Sequence, residues 1–274
     1  MTLKQAYSYS VQFLERNNVD EADFKALCAA CHIAGIKNSE YLAHTEDFVN
    51  DSKLAGMLWR LKNGEPLQYI IGKWDFYNSE FFVGEGVLIP RPETEELVER
   101  AVFDIKQLGQ CVVYDLCSGS GCIGISVAKA CPNAQVYLVE KSKDAYFYLE
   151  KNAKGIDNAH IINGDICQII DLPKADVIIS NPPYIRSSEI SSLQSEVRQE
   201  PIMALDGGED GLDFYRIIND KWSCAFNKKG ILYLEIGEDQ GDSVISILSN
   251  YTNIEVYKDL YGNDRIIRAV NKGD

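Results

Sequence analysis

From Pro92 onward the chain alternates helical apolar stripes with short apolar runs bounded by glycine, proline and acidic residues, and this alternation restricts the fold more than any other feature. Leu97, Ala101, Ile105 and Leu108 keep helical spacing ahead of the strand CVVYDL (111–116). A helix to about 130 follows Gly121, then the strand QVYLVE (135–140), a helix over 142–153, and the strands HIING (160–164) and DVIIS (176–180). A helix from about Asp213, the strand GILYLEIG (230–237), a helix over 239–249 and a terminal pair, EVYKDL and RIIRAV, complete the series. Such alternation predicts an α/β class: a Rossmann-like, seven-stranded, mostly parallel sheet, with the terminal pair as an antiparallel edge hairpin turning through residues 261–264.

The first 65 residues read differently. Leu3, Tyr7, Val11 and Leu14 keep helical spacing, as do Phe24, Leu27, Cys28 and Cys31, then Leu54, Met57, Leu58 and Leu61, with Asp20 and Asn50 or Ser52 as expected caps. Gly64-Glu65-Pro66 ends this helical part, and YIIGKWDFYNSEFFV reads as a β-hairpin turning near Asn78-Ser79. The expected division is a small helical domain over 1–65 that recognises substrate, a linker with the hairpin over 66–90, and a catalytic α/β domain over 91–274.

The composition, 46% hydrophobic and 25% charged, is that of an ordinary globular protein. A net charge of −14 argues against extended nucleic-acid binding, which needs clustered Lys and Arg. The opening stretch lacks the apolar run of a signal peptide and no later segment is long enough to cross a bilayer, so a soluble, cytoplasmic protein without membrane contact is expected. Eight cysteines sit mostly in apolar patterns and fit a reducing compartment. Cys28 and Cys31 beside His32 have no second Cys/His pair at zinc spacing, so no metal is expected.

The loop Asp115-Leu116-Cys117-Ser118-Gly119-Ser120-Gly121 leaves the first strand of the series, and GSGCIG within it satisfies a dinucleotide fingerprint literally. Asp115 distinguishes the ligands. A carboxylate there repels a pyrophosphate but attracts, directly or through water, the ammonium and sulfonium of S-adenosylmethionine. Glu140, at the end of the next strand, suits a ribose diol, and Asp165, one strand further, suits an adenine amino group. The expected cofactor is therefore S-adenosyl-L-methionine, leaving as S-adenosyl-L-homocysteine.

SNPPYI (180–185) stops the fourth strand with two prolines. Proline lacks an N–H and forces its predecessor extended, which leaves the Asn181 and Pro182 carbonyls with few local donors. If the Asn181 side-chain oxygen and the Pro182 carbonyl accept the two hydrogens of a planar NH₂ group, its nitrogen is held toward a methyl donor, with Tyr184 stacked on the π face. The expected chemistry is methylation of a weakly nucleophilic amide or aromatic amine, with Asn181, Pro182 and Tyr184 catalytic.

GEPLQYIIG, VLIPRPETEELVE (87–99), DLCSGSGCIGIS, SNPPYI, EPIMALDGGEDGLDFYRII (200–218) and DLYGNDR (259–265) together resemble the HemK/PrmC glutamine methyltransferases of peptide-chain release factors. The resemblance spans about Gly64 to Arg268 and implies a class I S-adenosylmethionine-dependent methyltransferase fold. The implied substrate is the side-chain amide of the glutamine in the Gly-Gly-Gln loop of class I release factors. By the same resemblance Cys117, Ser118, Gly119, Ser120, Gly121, Glu140, Ile166 and Asn181 contact the cofactor, and Asn181, Pro182, Pro183 and Tyr184 hold the glutamine. Cys117 stands where many relatives have glycine and Glu140 where many have aspartate; a left-handed cysteine is strained, so Cys117 is expected in an ordinary conformation. Arg91-Pro92-Glu93-Thr94-Glu95 reads equally as part of a peptide groove and as a helix N-terminus, and residues 207–211 equally as a loop near the acceptor and as a plain turn. The competing function is methylation of exocyclic amines of DNA or RNA bases, which the acidic balance and the absence of a large recognition insertion disfavour.

Overall fold

The computed structural model describes residues 1–168 and 171–273. It forms two compact units, Met1–Lys73 with Gln194–Gln199, and Trp74–Leu193 with Glu200–Asp274.

The first unit contains α1 (Leu3–Arg16), α2 (Ala22–Ala34), α3 (Asp51–Lys62) and the short α4 (Leu67–Ile71). Thr2 starts α1 with a capping box: its Oγ1 accepts from Gln5 N at 3.3 Å, and Gln5 Oε1 accepts from Thr2 N at 3.0 Å. Asn50 caps α3 through the Lys53 N–H at 3.0 Å. Asp20 does not cap α2; Glu21 precedes the helix in a left-handed conformation (φ 54°) without a side-chain cap. The apolar face of α2 is also rotated from the expected stripe, since Ala26, Ala29 and Ala30 are buried while Phe24 is 44% exposed. Small side chains let the helix lie close to its neighbours. Lys25, also buried, forms an ion pair with Glu196 of the same unit. Cys28 and Cys31 are buried free thiols, and Asn38 Nδ2 donates to Cys28 Sγ at 3.0 Å.

In the second unit β1 (Lys73–Phe76) and β2 (Ser79–Phe82) form a two-stranded hairpin. Tyr77 (φ 43°) and Asn78 (φ 61°) make its turn, with the paired positive φ values that suit the strand twist. The first three residues of the expected hairpin, Tyr69-Ile70-Ile71, are helical instead. Pro66 starts that turn of helix and Gly72, at φ 79°, stops it.

The rest of this unit consists of α5 (Pro92–Leu108), β3 (Cys111–Leu116), α6 (Cys122–Ala130), β4 (Ala134–Glu140), α7 (Lys143–Ala153), β5 (Ala159–Asn163), β6 (Ala175–Ser180), α8 (Ile202–Leu205), α9 (Asp213–Ile217), β7 (Phe226–Glu235), α10 (Gly241–Ile247), β8 (Tyr251–Lys258) and β9 (Asp264–Asn271). A π-helical turn, Ile218–Trp222, extends α9. The seven-stranded sheet has the order β5-β4-β3-β6-β7-β9-β8; β9 runs antiparallel to β7 and β8, and the other pairs are parallel. Its two faces carry separate cores. Val113, Val136, Leu138, Val177 and Ile179 pack with α5 and α6, while Tyr114, Leu116, Val139, Ile178 and Leu232 pack with α9 and α10. Strand alternation therefore buries apolar side chains on both sides, as a helix-covered parallel sheet requires. Leu108 departs from the expected stripe of α5, lying 45% exposed at the helix end. Among the described residues no helix is long and apolar enough to cross a membrane.

Candidate active site

Sheet register decides which residues meet. Leu116 lies beside Val139 and Ser180, and Ser180 beside Leu234, so the chain leaves β3, β4, β6 and β7 at one level. Strand order reverses between β3 and β6, the place where open α/β sheets bind ligands. A cleft with a cavity volume of about 140 Å³ opens there, roughly ten times what one water needs. Its walls include residues 117–120, Val139, Glu140, Asp165, Ile166, Asn181 and Pro183, together with Arg91, Thr94 and Met203.

The loop after β3 turns at Cys117, which has φ 62°. The expected ordinary conformation is therefore incorrect, for a local reason. This left-handed residue brings Ser118 N–H to the Val139 carbonyl at 3.1 Å and lets Ser118 Oγ donate to the Asp115 carbonyl at 2.7 Å. Those bonds offset a strain of about 1–3 kcal/mol. Burial, reinforced by the charges of Glu140 and Asp115, keeps the Cys117 thiol protonated. Gly119 N–H donates to Glu140 Oε2 at 2.7 Å and Ser142 N–H to Glu140 Oε1 at 2.7 Å, so one carboxylate anchors two loops and keeps its remaining lone pairs for the cleft. Burial raises the pKa of Glu140.

Gly121 does not line the cleft. A Cβ there would lie 2.5 Å from Leu149 Cδ1, so its glycine serves packing.

Asp115 is fully buried behind the loop and does not reach the cleft wall. Gly124 N–H donates to its Oδ2 at 2.8 Å, and its Oδ1 has no partner among the described residues. Burial pushes its pKa up to about 7, against the opposing Gly124 bond. Of the two expected routes to a cationic ligand, direct contact is thus not what the fold builds. Asp165 does line the cleft, but Lys141 Nζ lies 2.8 Å from its Oδ2 and Cys167 N–H donates to its Oδ1 at 2.9 Å. Burial acts upward on Asp165, but those two partners outweigh it and lower the pKa. The set fits S-adenosylmethionine: Val139 and Ile166 give an apolar wall, Glu140 a diol acceptor, and Asp115 a buried oxygen lacking a counter-charge.

On the opposite wall Asn181 Nδ2 donates to Thr94 Oγ1 at 3.2 Å, and Thr94 Oγ1 donates to Glu235 Oε2 at 2.6 Å. Among the described residues no protein donor reaches Asn181 Oδ1 or the Pro182 carbonyl. Tyr184 is not on the cleft wall where stacking was expected. Its ring packs against the core on the α9 side, with its hydroxyl 3.5 Å from Glu235 Oε1. Burial, then the charge of Glu235, raises its pKa. Behind the prolines, Gln240 Nε2 donates to the Tyr184 carbonyl at 2.9 Å, and Gly207 N–H donates to the Ile185 carbonyl at 2.8 Å. A Cβ on Gly207 would lie 2.7 Å from Tyr184 Cα, and one on Gly211 2.4 Å from the Tyr184 carbonyl oxygen. Residues 207–211 are thus a turn whose glycines allow close contact with the proline loop. Arg91 pairs with the buried Glu200, whose Oε2 also accepts from Ile89 N–H at 3.0 Å, so the segment 89–94 both begins α5 and lines the cleft.

Sequence reasoning missed Glu235, Gln240 and the contact made by Thr94. Glu235 had a signal: an acid inside the apolar run GILYLEIG, at the same sheet edge as Asp115 and Glu140.

Comparison with known proteins adds the family. Residues 100–203 match the model of the methyltransferase small domain and residues 5–72 that of the PrmC N-terminal domain. A release factor glutamine methyltransferase of Thermodesulfovibrio yellowstonii is 38% identical over 86% of this chain and 88% of its own. The one of Moorella thermoacetica is 33% identical over 99% of both chains. The crystal structure of the hMettl16 catalytic domain shares the fold at a TM-score of 0.56 and 15% identity, covering 69% of this chain and 74% of that one. The protein is a class I methyltransferase with S-adenosyl-L-methionine as its methyl donor, and it belongs to the release factor glutamine methyltransferase family.

Proposed function

We propose that this enzyme methylates the side-chain amide nitrogen of the glutamine in the Gly-Gly-Gln loop of class I peptide chain release factors. The observation that carries the reading is Asn181, which lines the cleft with no protein donor on its Oδ1 among the described residues; the next residue, Pro182, is not itself on the cleft wall, but its carbonyl likewise has no protein donor among them. The names of the relatives support the same substrate.

An amide nitrogen is a poor nucleophile because its lone pair is delocalised. Asn181 and Pro182 accept its two hydrogens and so fix the NH₂ group, which turns a rare encounter into a held geometry. When bound, S-adenosylmethionine supplies an electrophilic methyl on a sulfonium. The N–C bond forms as the S–C bond breaks, the products are N5-methylglutamine and S-adenosylhomocysteine, and the nitrogen gives up one proton. Asn181 and Pro182 stabilise the partial positive charge on that nitrogen before the proton departs to water. No strong base is needed, because the alkylated nitrogen is acidic.

Residues 117–120, Glu140 and Ile166 bind the cofactor, with Gly121 supporting the loop through packing, and Asp165 borders its adenine end. Asp115 acts on the donor's cationic groups through the loop rather than by contact. Tyr184 supports the proline loop from behind. The helical unit receives the body of the release factor, which its exposed Leu42, Phe48 and Trp59 fit.

Labelled S-adenosylmethionine offered with a class I release factor, with the same factor carrying Gln→Ala in its Gly-Gly-Gln loop, and with DNA or RNA tests the assignment. Label is expected on the intact factor alone. Transfer to nucleic acid, or equal transfer to the substituted factor, overturns it.

A further inference from the structure

We propose that Glu235, acting through Thr94, is a positioning residue that sets which end of the Asn181 amide faces the substrate. This deepens the proposed function and rests on it for the identity of the acceptor.

The number of available protons decides the orientation. Thr94 Oγ1 has one hydrogen and donates it to Glu235 Oε2 at 2.6 Å. Only lone pairs then remain for Asn181, which must present Nδ2 to Thr94 (3.2 Å) and turn Oδ1 away. An asparagine amide has no intrinsic preference between its two ends, so its network decides. Thr94 and Glu235 are 2% and 1% exposed, so the bond between them is largely shielded from solvent.

If Glu235 carries a proton, the relay reverses. Glu235 then donates to Thr94 Oγ1, Thr94 donates to Asn181 Oδ1, and Nδ2 faces the cleft. Two NH₂ groups oppose each other there, and the acceptor nitrogen loses one of its two holders. The ionised relay selects a substrate that donates; the protonated one rejects it.

Several groups set this equilibrium. Thr94 and Tyr184 direct hydroxyls at the carboxylate, Arg265 of β9 favours its charge while paired to Asp259, and Glu93 of α5 opposes it. Cys122 of α6 is a neutral neighbour held protonated by burial, and Tyr215 of α9 donates to the Glu235 main-chain carbonyl at 3.0 Å. Burial dominates and pushes the Glu235 pKa up to about 7. Acceptor methylation is therefore expected to fall as pH drops through neutrality.

The experiment combines kinetics with a readout that needs no acceptor. Thr94→Val removes the relay and is expected to lower kcat/KM for the release factor by about 100-fold, with S-adenosylhomocysteine affinity within about 3-fold. Thr94→Ser restores the hydroxyl and is expected to keep activity within about 5-fold. Glu235→Gln is expected to flatten the acidic limb of the pH profile. In ¹⁵N-asparagine-labelled enzyme, the Asn181 side-chain NH₂ resonance is expected to shift with a midpoint near that limb, and not in Glu235→Gln. If the wild-type resonance does not move between pH 5.5 and 8.5, the proposal fails, whatever the acceptor turns out to be. Full acceptor kcat/KM in Thr94→Val also overturns it. A moving resonance with no methylation of release factors keeps the relay and instead rejects the substrate assignment.

Discussion

Asp115 bears a cost in the folded chain. Its side chain is buried with one oxygen unpartnered, and its pKa is raised from 3.8 to about 7. Below pH 3.8 both the folded and unfolded chains are protonated at this residue. Between 3.8 and 7 the folded chain holds a proton that the unfolded chain has lost, so this contribution to stability is progressively lost as pH rises through that window. Above 7 the full cost remains. Asp115→Asn is therefore expected to be more stable than wild type at pH 8, by a few kcal/mol, with the difference vanishing near pH 4. Cofactor binding should weaken in the same variant, because the negative charge that would attract the donor's cationic groups through the loop is gone. Thermal midpoints against pH, beside calorimetric S-adenosylmethionine affinities, check both halves; a variant no more stable at pH 8 than at pH 4, relative to wild type, contradicts the burial argument. The place of Asp115 at the end of a strand just before a glycine loop was legible in the sequence. Its lack of direct contact was not legible, since only the fold shows Gly124 N–H capturing the carboxylate. Gly124 permits that approach, because a Cβ there would lie 2.8 Å from Asp115 Oδ2.

The loops that end the strands are held by contacts between distant elements. The proline loop after β6 rests on residues 207–211 and on Gln240, and Asn152 of α7 ties β2 to the glycine loop by donating to the Phe82 and Ser120 carbonyls at 3.0 and 2.9 Å. Gly211→Ala tests the first support. With φ at +76° and a Cβ position 2.4 Å from the Tyr184 carbonyl, it is expected to cost about 1–3 kcal/mol of stability and to lower turnover at least tenfold. Gly262→Ala, with φ +87° and nothing within 4 Å, should lose stability without losing turnover. Denaturant melts and single-turnover rates on both variants separate strain from displacement, and equal turnover losses would contradict the proposed support. Elements of this unit were readable where periodicity and punctuation agree, as in β3, α6 and β4. The reading failed where they disagree. YII looks like strand, but the Pro66 start and Gly72 stop make one helical turn. The π-helical turn Ile218–Trp222 has no local signature, because packing of Ile218 and Trp222 into the core selects it.

At the scale of the whole molecule, sheet topology gathers residues remote in sequence. Thr94 and Glu235 stand 141 positions apart and Asn181 and Thr94 87 apart, so no sequence window contains this hydrogen-bonded chain. The alternating pattern indicated that residues 115, 140 and 181 lie at strand ends. The order β5-β4-β3-β6-β7 brings those ends to one edge of the sheet, where the strand order reverses between β3 and β6. What stayed hidden are the partners of the residues that sequence motifs do name: Thr94 on the cleft wall, and Glu235 and Gln240 in the layer behind it. The proposed methyl transfer depends on Asn181 holding the substrate nitrogen, beyond any contact it makes with the cofactor. Asn181→Ala, assayed in single turnover with a class I release factor and in parallel for S-adenosylhomocysteine binding, measures this directly. The expected result is a loss of methyl transfer of about 100-fold or more with cofactor affinity changed by less than about 5-fold; transfer at the wild-type rate, or a loss explained entirely by weakened cofactor binding, contradicts it.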